Sequence, residues 1–204
     1  MLELGQVILG VRDLDAATDR MEALGFSVLD GGVHPGLGTA NRIIPLGRQY
    51  LELLGVVDPV LAASQWYGQA LLARIADGDR LVRWSLRTDQ IEEIAGTLGW
   101  TPERRERVRP DGRRLTWQAA GLREAAEQSW PPFLMQWDDP ADFPGAATAR
   151  HANGATGIAW LEVASSDPAR LERWREAAPL RLVEGAPGLR RVAVATPAGE
   201  LPLG

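Results

Sequence analysis

Cysteine is absent from the 204 residues, and so is lysine: all 22 basic residues are arginines. The first absence excludes disulfides, thiolate zinc sites, iron–sulfur clusters and cysteine nucleophiles. The second excludes Schiff bases on lysine and the P-loop lysine, and with them pyridoxal-phosphate enzymes and ordinary P-loop NTPases. Histidine is scarce as well. Only His34 and His151 offer an imidazole, so an acid–base step falls to one of them, a carboxylate, a tyrosine or water on a metal. No apolar run approaches the ~18 residues that span a bilayer, and Met1-Leu2-Glu3-Leu4 lacks the basic flank of a secretory signal. The chain is therefore expected to be cytoplasmic, with no membrane partner. A formal net charge of −5 and the lack of any nucleic-acid motif argue against a nucleic-acid partner. The local run Arg104, Arg105, Arg107, Arg109, Arg113 and Arg114 is nevertheless suited to holding a small anion.

What is present repeats. Leu4 to Val11 reads as an apolar strand and Asp13 to Leu24 as a helix. Asp13 or Asp15 is its N-cap, and Leu14, Ala17, Met21 and Leu24 recur at helical spacing. Three strand-like stretches follow, ending at Val57, so residues 1–57 read as a βαβββ module. Residues 58–79 read as a connecting helix carrying Leu61, Trp66, Leu71 and Ile75. The order then restarts over 80–138, with a strand at Leu81–Leu86, a helix face at Ile91, Ile94, Ala95 and Leu98, and two arginine-rich strands around Pro110-Asp111-Gly112. Phe133 to Trp137 closes that unit. Residues 139–156 read as a linker, and 157–204 as a shortened third unit of βαββ order. A duplicated supersecondary unit implies modules that pack sheet beside sheet around a shared face.

Three stretches resemble the glyoxalase-like domain family of the vicinal-oxygen-chelate superfamily. They are Leu9-Gly10-Val11-Arg12-Asp13-Leu14, the segment from Gly31 through His34-Pro35-Gly36 to Asn41, and Tyr50-Leu51-Glu52-Leu53. Arg109-Pro110-Asp111-Gly112, Pro132 to Trp137 and the tail Thr196-Pro197-Ala198-Gly199-Glu200 extend the likeness over nearly the whole chain. The resemblance implies an α+β protein of bacterial type. Its paired βαβββ modules would form a curved, mainly antiparallel sheet closing on a cup for a divalent metal and a small oxygenated ligand. It also implies a cytoplasmic small-molecule binder, expected here to be a homodimer.

In metal-dependent members one ligand comes from the first and one from the last strand of each module. That places Gln6, Glu52 and Gln136 as the candidate metal set, for Fe, Mn, Ni or Zn. The set holds one charge and no imidazole, and the first strand of the second module offers Arg83, a cation, where a ligand is wanted. A tight catalytic metal is therefore not expected from these residues. Glu52, a carboxylate between leucines, and His34 are the candidate catalytic residues. Asn41, Arg83, Trp84, Arg107, Trp117 and Gln136 form the candidate binding set. Each has a structural alternative. Glu52 can pair with an arginine, the glutamines can tie strands together, His34 can hold a turn, and the tryptophans can be core. In a strand over Glu103–Arg109, Arg105, Arg107 and Arg109 share one face, which is either solvated or turned into the cup. Two functions remain open. One is a lyase or isomerase acting on an enolisable carbonyl compound; the other is a non-catalytic binding or sequestering protein on the same scaffold.

Overall fold

The computed structural model describes residues 1–204. The first module runs β1 (Glu3–Val11), α1 (Leu14–Ala23), β2 (Leu29–His34), β3 (Thr39–Pro45) and β4 (Tyr50–Val56). Helix α1 starts where Asp13 lends its carboxylate to the N–H groups of Asp15 and Ala16 at 2.9 and 3.0 Å, satisfying donors that a helix start leaves free. Ala17 and Met21 form its buried stripe. Two helices, α2 (Pro59–Ser64) and α3 (Trp66–Ile75), occupy the stretch read as one connecting helix. The second module runs β5 (Arg80–Arg87), α4 (Ile91–Thr97), β6 (Glu103–Val108), β7 (Arg114–Ala120), α5 (Leu122–Gln128) and β8 (Phe133–Trp137). Helix α5, which opens after Gly121 in the left-handed region, was not legible in the sequence.

The eight strands close into a barrel in the order β1-β4-β3-β2-β6-β7-β8-β5. Each module contributes one parallel pair, β1 with β4 and β5 with β8, and the other neighbours are antiparallel. The modules join through the long β1–β5 ladder and through a single bridge, Val33 with Val108. Glycine makes that second seam possible. A Cβ on Gly32, at φ +143°, would fall 2.1 Å from the carbonyl oxygen of Val108.

The third unit runs β9 (Gly157–Ala164), α6 (Pro168–Glu172), β10 (Leu180–Val183), β11 (Gly188–Thr196) and β12 (Gly199–Leu203). Its sheet is ordered β10-β9-β11-β12. The short strand β10, parallel to β9, is an addition to the βαββ order read from the sequence. The segment between β8 and β9 is pinned rather than loose. His151 accepts from the Ser27 N–H through Nδ1 at 2.9 Å and donates from Nε2 to the Pro45 carbonyl at 2.6 Å.

Two apolar clusters divide the interior. The larger, of 28 buried residues, lies on the outer face of the barrel sheet and joins β1, β4, β5, α1 and α4 to the third unit. The smaller, of 15, lies within the barrel and against α3, with Ile8, Tyr50, Tyr67, Phe133 and Met135 among its members. No helix is long and apolar enough to cross a membrane.

Candidate functional site

Strand alternation sends one residue in two into the barrel. It selects Gln6 and Ile8 from β1, Tyr50 and Glu52 from β4, Arg105 and Arg107 from β6, Trp117 from β7, and Phe133, Met135 and Trp137 from β8. They line a cavity of about 160 Å³, comparable to the ~150 Å³ engineered cavity that binds benzene. His34, Asn41 and Tyr67 also line the barrel cavity, with Pro35, Leu37 and Leu122, and Arg104 and Glu106 stand at its rim.

Its polar centre is a short relay. Asn41 donates from Nδ2 to Glu52 Oε1 at 3.0 Å, and its Oδ1 accepts from Arg107 Nη1 at 3.3 Å. Gly31 makes room for this amide, since a Cβ there would lie 2.0 Å from Asn41 Oδ1. All three relay residues are buried. Burial raises the Glu52 carboxyl above its ordinary value, against the opposing pull of the Asn41 hydrogen bond and of the Arg107 and Arg83 charges. The result is a carboxylate more basic than a solvated one, fixed by one oxygen and free at the other. His34 rests on Thr39, with Nδ1 3.0 Å from Oγ1. Burial, followed by the charges of Arg107 and Arg83, lowers its pKa from 6.5 to about 3, so it is a neutral imidazole at physiological pH. Burial pushes the Tyr50 and Tyr67 hydroxyls up; both remain phenols.

Arg83 lies entirely inside, 1 % exposed, with its guanidinium 4.4 Å above the Tyr67 ring. Tyr67 stands between it and the cavity lining. Trp117 and Trp137 pack together at 5.0 Å between ring centres, tilted by 38°, and form the apolar side.

Three of the binding residues read from the sequence do not line the cavity: Arg83 stands behind Tyr67, and two others belong elsewhere. Trp84 points out of the barrel, fully buried in the larger core, and its Nε1 donates to the Trp130 carbonyl at 2.9 Å; its neighbour Arg83 takes the inward place. Gln136 also points out. Its Oε1 accepts from the Ile91 N–H at 2.9 Å and so caps α4, whose own Gln90 makes no capping bond. Met135 and Trp137 take the inward positions on β8. Gln136→Ala is accordingly expected to lower unfolding stability by about 1 kcal/mol and to leave ligand affinity unchanged. Chemical denaturation beside a binding titration checks both.

The candidate metal set does not come together, because Gln136 points out of the barrel. Gln6 lies level with Tyr50 and Ser85, and Ser85 with Phe133, so the second module matches Gln6 with Ser85 and Glu52 with Met135. One carboxylate, an amide, a hydroxyl and a thioether, with two guanidiniums nearby, do not make a site for Fe, Mn, Ni or Zn. No group of three or more His, Asp or Glu residues is placed to hold a cation. Tyr50 and Tyr67 were missed in the sequence. Tyr50 was recoverable by parity with Glu52, whereas nothing local points Tyr67 at the cup.

The pattern of the glyoxalase-like domain family matches residues 7–198. No curated protein matches the chain significantly. A hypothetical protein from Staphylococcus aureus superposes with a TM-score of 0.64 at 16% identity, covering 99% of this chain and 84% of its own. Methylmalonyl-CoA epimerase from Mycobacterium tuberculosis gives 0.43 at 14% identity, over 66% of this chain and 86% of its own. A variant of 4-hydroxymandelate synthase from Streptomyces coelicolor gives 0.47 at 16%, over 98% of this chain and 61% of its own.

Proposed function

The chain belongs to the glyoxalase-like domain family, and on that premise we propose that its barrel is a small-molecule cup in which Glu52 acts as a base on an enolisable carbonyl compound. The observation that carries this is the Asn41 relay, which fixes a buried carboxylate and a buried guanidinium on one wall. The free oxygen of Glu52 takes the proton alpha to the carbonyl. The bonding pair moves into the enolate, and the Arg107 cation stabilises the negative charge on its oxygen. Return of the proton to carbon gives isomerisation, and expulsion of a β-substituent gives a lyase. Asn41 keeps the carboxylate oriented, and neutral His34 adds no competing charge to the wall. The donor set supports no metal-dependent step.

The test is proton NMR of small enolisable carbonyl compounds incubated with the protein in D2O. At least one should take up deuterium at the alpha carbon faster than without protein. If ligands bind and none exchanges, the base role of Glu52 is wrong.

A binding protein without turnover is the second reading, favoured by one observation: the Trp117–Trp137 pair offers a flat apolar wall. Ligands that quench tryptophan fluorescence without taking up deuterium would favour it.

A further inference from the structure

In the interior of the barrel unpaired donors outnumber unpaired acceptors, of which Gln6 Oε1 is one. Nine buried side-chain polar atoms have no hydrogen-bond partner, and six of them are guanidinium nitrogens: all three of Arg83, and the Nε atoms of Arg87, Arg105 and Arg107. A buried unpaired donor costs free energy, and an unpaired buried cation costs more. Only one acid, Glu52, stands in the polar centre against the charges of Arg83 and Arg107. The acid and base at the rim are already engaged outside, Glu106 with Arg114 and Arg104 with Asp138. Arg105 leans on Glu103, which leaves its Nε free. Between these donors and the tryptophan pair lies the ~160 Å³ cavity.

From this surplus of cationic donors beside an apolar wall, we propose that the ligand of the cup is a small monocarboxylate with a compact apolar tail. Its anionic oxygens bind the guanidinium edges that Arg107 and Arg105 present to the cavity, and its tail packs on Trp117 and Trp137. A planar guanidinium matches a carboxylate in shape as well as charge. Arg83, behind Tyr67, acts through its field and holds the site positive. This names the substrate class for the function proposed above and rests on that reading only for the chemistry, not for binding.

The experiment compares benzoate with benzamide, and 3-methylbutanoate with 3-methylbutanamide, by tryptophan fluorescence and by thermal shift of the intact protein. Each acid is expected to bind about 10- to 100-fold more tightly than its amide and to raise the melting temperature. In Arg107→Met that preference should fall about tenfold or more, with Arg107→Lys restoring part of it. Should Arg107→Met fail to fold, the parent acid-to-amide ratio and its loss at raised ionic strength still decide the matter. Equal affinity of acid and amide, no binding of either acid at about 10 mM, or an undiminished preference in Arg107→Met would overturn the proposal. Carboxylate preference without deuterium exchange would remove the enolisation chemistry and keep this site. Exchange of neutral carbonyl compounds without carboxylate preference would do the reverse.

Discussion

Glu52→Gln is expected to lower the rate of the proposed alpha-proton exchange by about 10²- to 10⁴-fold, the usual contribution of a positioned general base. Glutamine keeps the shape of the side chain and can still meet Asn41, so the loss isolates basicity from packing. Ligand affinity survives in this variant, because the arginines remain and the one acid opposing an anion is gone. The parent rate also carries a pH signature. Only the ionised carboxylate accepts a proton, and burial raises its pKa above 4.5, so the acidic limb of the rate profile lies above pH 4.5. The Asn41 hydrogen bond favours the ionised form; Asn41→Ala moves the limb to still higher pH. Exchange rates by NMR from pH 4 to 9 measure both effects. An unchanged rate in Glu52→Gln, or a limb that ignores Asn41, would remove Glu52 from the chemistry.

The second large effect is on acid stability and belongs to His34. Its folded-state pKa is depressed from 6.5 to about 3. The unfolded chain therefore binds a proton on His34 below pH 6.5, while the folded chain does not until about pH 3. A group of this sign contributes stability that is fully present above its unfolded pKa and is lost as pH falls toward the folded one. At about 1.4 kcal/mol per pH unit, the loss reaches about 3 kcal/mol by pH 4 and about 4 kcal/mol near pH 3. Glu52, with a raised pKa, works in the opposite direction. His34→Asn isolates the histidine, because the Glu52 contribution is common to both proteins. Urea unfolding at pH 7 and pH 4 should show the parent losing about 3 kcal/mol more than the variant. Parallel losses would mean that His34 does not remain neutral inside the barrel.

Most of the architecture was legible because it repeats. The strand–helix start at Leu4 to Leu24 and its echo at Leu81 to Leu98 both form, since their apolar patterns are local, although α4 takes its cap from the distant Gln136. Closure into a barrel was not legible, because it depends on one bridge at Val33 and on the room left by Gly32. The relay was half legible. Glu52 between leucines and Asn41 after the glycine loop stood out, but their meeting depends on the Ile43↔Glu52 register of β3 and β4. Gln136 and Trp84 show where alternation misleads. A strand offers two faces of equal standing, and here both are buried, so hydrophobicity does not say which of Gln136 and Trp137, or of Arg83 and Trp84, turns inward. A β-bulge in the β1–β5 ladder, between Ile8 and Leu9, adds a further shift of parity that residue spacing does not reveal.

The larger apolar cluster sits outside the barrel, under the third unit, and the cup's lining belongs to the smaller one. Packing against the third unit and the proposed ligand choice thus draw on different residues. A lineage carrying this scaffold can exchange Trp117, Met135 or Arg105 for other side chains while the outer cluster keeps the chain folded. The barrel is a socket whose contacts can be rewired under a constant housing, and selection for a new small molecule can act on it before stability becomes limiting.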